Sequence, residues 1–232
     1  MPGPNATAQG VPRCRALGRG LLAVVLALLL GASSPPAGWA FDPSRLLQAA
    51  AALGEAPLGQ ARALQALVEQ LRRVDEGQRI ATVNDFFNRR LLYRQDIDLW
   101  GQVDYWASPL ETLSRGAGDC EDFAIAKYFT LVAAGVPHSR LRLVYVRLQM
   151  GASQLPHMVL AYYPRPDAEP WVLDSLVPEL RVASARPDLN PVFSFNAEAI
   201  WEGVAGPAVR GSATERLSPW AAVMRKARSE GF

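Results

Sequence analysis

The chain has 232 residues, 50% of them hydrophobic and 20% charged, a composition that is ordinary for a globular protein. Its 24 Lys and Arg residues nearly balance 22 Asp and Glu residues, and no basic run stands out. A nucleic-acid-binding surface needs such a run or stripe, so we expect no nucleic-acid partner.

The first 40 residues have the pattern of a secretory signal peptide. They hold three arginines and no acidic residue, then the apolar run 21–30, and small residues up to Ala40 that suit a signal peptidase. The apolar run is shorter than the roughly 20 residues that span a bilayer, which leaves an uncleaved anchor helix as the weaker alternative. We therefore expect a cleaved signal peptide at residues 1–40, export to the periplasm, and one domain over residues 41–232.

Export makes the cysteine count informative. Cys14 lies in the predicted signal, so Cys120 is the sole cysteine of residues 41–232 and cannot form an internal disulfide. An unpaired thiol is prone to oxidation in an exported protein, so we expect it to be either buried and inert or retained for its reactivity.

The first half of the domain reads as helical. Apolar residues recur at helical spacing, and residues 41–80 form an N-terminal helical part. The predicted elements up to residue 113 are a helix opening at Asp42, a turn at 54–59, an amphipathic helix through 64–71, a helix over 82–92, an irregular aromatic segment at 93–105, and a short helix at 108–113.

A glycine break at 116–118 precedes a strongly helical stretch at 119–134. Three strand-like runs follow, at residues 141–149, 157–163 and 171–173. Helices followed by an antiparallel meander predict an α+β fold, with the helix at 119–134 packed on the sheet. Residues 186–232 show no clear pattern.

Cys120 falls in the first turn of that buried-looking helix, directly after the glycines. Unpaired N–H groups and a partial positive charge at a helix N-terminus favour a thiolate and can hold an oxyanion. Gly116 and Gly118 allow a tight turn and close approach of a substrate backbone. A buried structural cysteine is the alternative.

The thiol also needs a base, and the chain has two histidines. His138 follows a helix end and reads as a solvated loop residue. His157 opens a predicted strand, and Asp174 ends the next one, so a hairpin would make them neighbours. The carboxylate would then orient the imidazole, which predicts Cys120, His157 and Asp174 as a catalytic triad.

Three carboxylates flank the thiol: Asp119, Glu121 and Asp122. They suit the first turn of a helix as capping residues. They would also repel a thiolate, a conflict that a bound Ca²⁺ would remove, although the spacing does not match an EF-hand.

The chain resembles the bacterial transglutaminase-like cysteine proteinases. The resemblance covers most of residues 80–180, and it is carried by VNDFFN at 83–88, LWGQVDYWA at 99–107, GAGDCEDFAIAKY at 116–128, HMVL at 157–160 and VLD at 172–174.

This resemblance implies a papain-like, transglutaminase-like core, the triad of Cys120, His157 and Asp174, and Ca²⁺ bound by Asp119, Glu121 and Asp122. It implies cleavage of the N-terminal region of a large surface adhesin between two alanines, which releases the adhesin and disperses a biofilm. It further implies that the periplasmic domain of an inner-membrane cyclic di-GMP receptor sequesters the protease.

Two other functions stay open at this point. The same triad could pass the acyl group to an amine, as in a transglutaminase, because the chemistry up to the thioester is identical. A non-catalytic, calcium-dependent binding module would keep the acidic residues without the activity. Tyr105 and Trp106 are candidates for lining the cleft or for packing in the core.

Overall fold

The computed structural model describes residues 40–204, 206–209 and 211–232, so the predicted signal peptide lies outside it except for Ala40. The helices of the described residues are α1 (Pro43–Leu53), α2 (Glu55–Leu71), α3 (Glu76–Arg90), α4 (Asp96–Trp100), α5 (Pro109–Arg115), α6 (Cys120–Ala133), α7 (Ala213–Arg216) and α8 (Ser218–Ser229).

The strands are short at the ends of the sheet and long in its middle. In chain order they are β1 (Leu92–Tyr93), β2 (Ala117–Gly118), β3 (Leu141–Met150), β4 (Ser153–Tyr162), β5 (Trp171–Leu173), β6 (Arg181–Val182), β7 (Leu189–Phe195), β8 (Ile200–Glu202) and β9 (Ala208–Val209). Two 3-10 turns, His138–Arg140 and Ala183–Ala185, complete the description.

Within the described residues, seven strands form an antiparallel sheet in the order β6-β5-β4-β3-β7-β8-β9, and β1 and β2 form a separate parallel pair. Most of the helices precede the sheet in the chain. Helix α6 packs against strands β4 and β3 and also against helices α3 and α5. The predicted α+β fold is therefore confirmed.

The prediction of a turn at residues 54–59 was wrong. Gly54, with φ of +118°, alone closes α1 and opens α2, so the following residues already belong to the second helix. Pro57 is tolerated there because the first helical turn has no intrahelical partner for its missing N–H. Gly59 lies inside α2 rather than in a loop.

Two further segments carry more structure than their sequence indicated. The segment 93–105, expected to be irregular, includes α4, and residues 186–232 supply β7, β8, β9, α7 and α8. Trp220 of α8 is fully buried against Tyr128, Phe129 and Phe195. The C-terminal helix is thus part of the main core beside α6.

Helix α6 is buried over almost its whole surface, with twelve of its 14 residues inside the protein. Its apolar residues meet a core that the helices and one face of the sheet build together. No helix in the described part of the chain has the length and apolar character needed to cross a membrane.

Candidate active site

Cys120 is the first residue of α6, with Asp119 at the N-cap. Gly116 ends α5 in the left-handed conformation (φ +65°), as a tight turn requires, and β2 then leads straight into the helix. A Cβ on Gly118 would lie 2.6 Å from the Cβ of Asp122. Gly116 thus has the turn role that the sequence indicated, whereas the close approach at Gly118 is to Asp122. The approach of a substrate backbone stays a prediction.

His157 and Asp174 lie on neighbouring strands. β4 pairs with β5 in a register that opposes Leu160 to Leu173. This register brings Nε2 of His157 to 2.8 Å from Oδ1 of Asp174, and both side chains are buried. The predicted proximity of these two residues is therefore present, although His157 sits inside β4 rather than at its start.

The Asp174 carboxyl is held in its ionised form. Burial by itself would raise its pKa, but the hydrogen bond and charge of His157, the N–H of Leu176 and the guanidinium of Arg186 lower that pKa to about 2. A carboxylate fixed in this way can orient the imidazole ring and stabilise its protonated form.

The backbone of Asp174 is tied to the nucleophile helix by a buried lysine. Lys127 Nζ donates to the Asp174 carbonyl oxygen (3.0 Å) and to Asn84 Oδ1 (2.9 Å), and Asn88 Nδ2 donates to the same carbonyl (2.9 Å). Burial lowers the pKa of Lys127 to about 7 despite the opposing charge of Asp174. The sequence signal that could have revealed this role is a lysine in an otherwise apolar helix.

The thiol has a different partner from the one expected. Cys120 Sγ donates to Oε2 of Glu121 at 3.1 Å, and the described residues show no hydrogen bond between the thiol and His157. Burial, and then the charges of Glu121 and Asp119, raise the pKa of the Cys120 thiol. In this arrangement burial and two carboxylates outweigh the helix N-terminus that was expected to favour a thiolate.

The predicted calcium ligands belong to a larger acidic cluster. Carboxylate oxygens of Asp96, Asp119 and Asp122 lie within 4.8 Å of one another, and those of Asp96, Asp104 and Glu121 form an overlapping group. Sequence analysis missed Asp96 and Asp104, whose only signal was the presence of separate aspartates in the aromatic segment.

The chemistry of this acidic cluster fits a hard cation. Asp96 Oδ1, Asp119 Oδ1 and Asp122 Oδ2 are buried without a hydrogen-bond partner. Burial and mutual repulsion raise the pKa of Asp96 to about 6 and that of Asp119 to about 8, and also raise the pKa of Asp122. Unpaired buried carboxylate oxygens are the ligands that Ca²⁺ prefers, so these residues could hold it.

A cleft of about 470 Å³ opens over Cys120 and His157. Tyr145, Phe193 and Trp106 line one wall. They belong to a row of stacked aromatic rings that also includes the fully buried Phe195: Tyr145 stacks on Phe193 (5.3 Å), Phe193 on Phe195 (6.0 Å), and Phe195 on Trp106 (5.7 Å). Trp106 thus lines the cleft. Tyr105 does not, because it packs against Trp100 at 4.5 Å.

The other histidine lies far from this chemistry. His138 sits in the 3-10 turn beyond the opposite end of α6, roughly 20 Å along the helix from Cys120. Its Nε2 is 3.3 Å from Oε1 of Glu198. It is therefore a paired structural histidine rather than the solvated loop residue that the sequence indicated.

The fold and this cleft define a transglutaminase-like cysteine protease. A family model described as bacterial transglutaminase-like cysteine proteinase BTLCP matches residues 60–187, and the chain belongs to this family. A comparison with curated proteins found no match.

Solved structures of Legionella pneumophila LapG are similar to the chain. The EGTA-treated form is 39% identical with a TM-score of 0.71, covering 81% of this chain and 98% of LapG. A second LapG structure is 38% identical (TM-score 0.70, with coverage of 81% and 98%). The calcium-bound form is 39% identical (TM-score 0.69, 80% and 98%). The chain is thus a LapG-like protease in family and fold.

Proposed function

We propose that the chain is a calcium-dependent cysteine endopeptidase with Cys120 as nucleophile, His157 as general base and Asp174 as its orienting carboxylate. The observation that carries this proposal is the buried hydrogen bond of 2.8 Å between His157 and Asp174, beside a cysteine at a helix N-terminus and at the base of a cleft.

The mechanism uses the two ring nitrogens of His157 differently. Nε2 donates to Asp174, which leaves Nδ1 to take the proton of the Cys120 thiol. The sulfur then attacks the scissile carbonyl, and the Cys120 backbone N–H at the start of α6 holds the oxyanion. His157 returns its proton to the leaving amine, and water, activated by the same imidazole, hydrolyses the thioester.

In this proposal the acidic cluster holds Ca²⁺ through Asp119, Glu121 and Asp122, with Asp96 and Asp104 beside them. The unpaired oxygens of the cluster and a calcium-bound form of LapG support this. When bound, the ion would supply positive charge next to the thiol. Glu121 contacts both the cluster and the thiol, so its carboxylate connects the two sites.

The substrate in this proposal is the N-terminal region of a large repeat-containing surface adhesin, cut at a di-alanine site. Cleavage would release the adhesin and disperse a biofilm. The signal pattern at residues 1–40 supports a periplasmic location, and the periplasmic domain of an inner-membrane cyclic di-GMP receptor is the proposed regulatory partner.

The test is cleavage of an adhesin N-terminal fragment by the purified protein, with Ca²⁺ or with EGTA. We expect one cut that requires Ca²⁺, disappears in Cys120→Ala and His157→Ala, and persists in His138→Ala. The two histidine variants are matched, because only His157 lies at the cleft.

A fluorescent primary amine included in the assay separates the alternatives. Incorporation of the amine in place of hydrolysis would show a transglutaminase. Calcium binding without either reaction, and with no labelling of Cys120 by iodoacetamide, would show a binding module and overturn the proposal.

A further inference from the structure

Arg186 is a buried arginine that the catalytic proposal does not yet use. It follows the 3-10 turn Ala183–Ala185, and its side chain is only 4% exposed. The neighbouring residues Ala183 and Leu189 pack on the apolar face of the sheet that lies away from α6. The chain therefore carries Arg186 over this face and towards the end of β5.

The guanidinium connects two carboxylates. Nη1 donates to Oδ2 of Asp174 at 2.8 Å, while Nε and Nη2 donate to Oδ1 and Oδ2 of Asp188 at 3.0 and 2.7 Å. The two bonds to Asp188 fix the plane of the guanidinium, and that plane directs Nη1 at Asp174.

Both oxygens of Asp174 are consequently occupied. Oδ1 accepts from His157 and from the backbone N–H of Leu176 (3.0 Å), and Oδ2 accepts from Arg186. A carboxylate held at both oxygens cannot rotate about its terminal bond without losing a charged hydrogen bond in a buried setting. Because Oδ1 is hydrogen-bonded to Nε2 of His157, the orientation of this carboxylate determines that of the imidazole ring.

We propose that Arg186 is a positioning residue for the peptidase reaction, holding Asp174 in the orientation that fixes the His157 ring; this inference rests on the proposed function. Without the guanidinium, Oδ2 of Asp174 would be a buried, unpaired charged oxygen. The carboxylate would turn or take up a proton, and the imidazole would lose its fixed tautomer and angle.

A purely structural arginine on the same sheet offers the comparison. Arg142 donates to the carbonyl of Val204 (2.8 Å) and stacks over Trp201 at 3.9 Å and Tyr163 at 4.9 Å. It contacts none of the proposed catalytic residues. Arg142→Met therefore measures what loss of a packed arginine costs when the catalytic residues are not touched.

The experiment compares Arg186→Met, Arg186→Lys and Arg142→Met in the purified protein. One readout is the low-field proton resonance of His157 Nε2–H bonded to Asp174. The other is kcat and KM on the adhesin fragment with Ca²⁺. For Arg186→Met we expect the resonance to move upfield or vanish and kcat to fall about a hundred-fold with KM nearly unchanged, since misplacing a catalytic group costs about this much.

Arg186→Lys keeps the charge but cannot bind both carboxylates as a fork, so we expect a smaller loss of kcat and a resonance that persists. Arg142→Met should keep both properties. Equal losses in Arg186→Met and Arg142→Met with an unchanged resonance would overturn the inference, as would wild-type kcat in Arg186→Met. If Arg186→Met does not fold, Arg186→Lys with wild-type kcat and an unchanged resonance would overturn it too.

The two proposals fail in different ways. If the wild type cuts nothing, the proposed function is wrong, whereas the His157 resonance still reports whether Arg186 holds Asp174. If the wild type cuts and Arg186 is dispensable, only the further inference is wrong.

Discussion

Cys120 Sγ lies 3.1 Å from Oε2 of Glu121, so the thiol donates to its sequence neighbour rather than to His157. Glu121 also belongs to the acidic cluster, together with Asp96 and Asp104. One carboxylate thus contacts both the proposed nucleophile and the proposed calcium site. Binding of a cation by this cluster would act on the surroundings of the thiol without any longer-range change.

The first prediction concerns calcium and stability. Because the cluster buries unpaired, mutually repelling oxygens, a bound Ca²⁺ should stabilise the folded state by about 2.7 kcal/mol at a hundred times its Kd, which raises Tm by roughly 5–10 °C. Thermal unfolding with Ca²⁺ and with EGTA measures this shift. Asp122→Asn should remove most of it.

The control for that prediction is Asp85→Asn. This substitution removes the same single negative charge, but on α3, where the exposed Asp85 side chain pairs with Arg89 at 3.6 Å. We expect this variant to keep the calcium-dependent shift. A shift of equal size in Asp122→Asn would place the cation elsewhere.

The local parts of the site were predictable from the sequence because neighbours in the chain determine them. The glycine break at 116–118, the helix that begins at Cys120 and the acidic first turn are all local features. The contact of His157 with Asp174 followed from strand alternation and one assumed hairpin. For these features, the periodicity or spacing of residues in the sequence is enough to predict the structure that is observed.

The remaining parts depend on long-range contacts that leave no periodic signal. Lys226 meets Glu111 through a contact between distant segments, Arg186 reaches Asp174 only because the irregular loop after β6 folds back, and Asp96 joins the cluster because β1 pairs with β2. The mistaken turn at residues 54–59 has a local cause. A single glycine at φ +118° was sufficient for the reversal, so Pro57 and Gly59 were misleading turn signals.

The second prediction concerns the stability of the fold at acidic pH. The pKa of Asp174 is about 2 in the folded protein against its ordinary 3.8, so the unfolded chain binds more protons between these values. The resulting stabilisation, about 2 kcal/mol, is fully present above about pH 5 and is lost progressively as pH falls to about 1, through the folded-state pKa. Urea unfolding of wild type and Asp174→Asn across this range should show the wild-type advantage shrinking.

Asp167→Asn is the matched substitution, because Asp167 is an exposed carboxylate 3.6 Å from Arg165. Its stability relative to wild type should not change over the same range. A pH-independent gap between wild type and Asp174→Asn would show that the Asp174 carboxylate is not held in its charged form.

The third prediction concerns Gly118. An added Cβ would lie 2.6 Å from Asp122 Cβ and 2.8 Å from its Oδ2, so Gly118→Ala must displace the first turn of α6. We expect a loss of about 1–3 kcal/mol in the free energy of unfolding, together with weaker calcium binding measured by calorimetry. Gly59→Ala, in open space inside α2, should instead stabilise by about 0.5–1 kcal/mol. Unchanged calcium binding in Gly118→Ala would contradict the close approach.

The last prediction concerns the C-terminal helix, which lies beyond the residues matched by the family model. Lys226 Nζ donates to Glu111 Oε2 (2.6 Å) and to the Trp106 carbonyl (2.9 Å), and so ties α8 to the segment that lines the cleft. The backbone N–H of Ala107, the next residue, donates to Asp122 Oδ1 at 2.8 Å. Lys226 therefore supports both the cleft wall and the acidic cluster.

Replacing Lys226 with Met removes the lysine donor of the Trp106 carbonyl and the charged donor of Glu111, which keeps only its hydrogen bonds from Ser108 and Tyr105. We therefore expect a loss of about 1–3 kcal/mol in the free energy of unfolding. KM for the adhesin fragment should rise, because Trp106 forms part of the cleft wall. Arg225→Met removes an exposed positive charge from the adjacent position and should change neither quantity. If both variants lost the same stability with KM unchanged, α8 would contribute only to the core through Trp220, and the cleft wall would be held by the aromatic row alone.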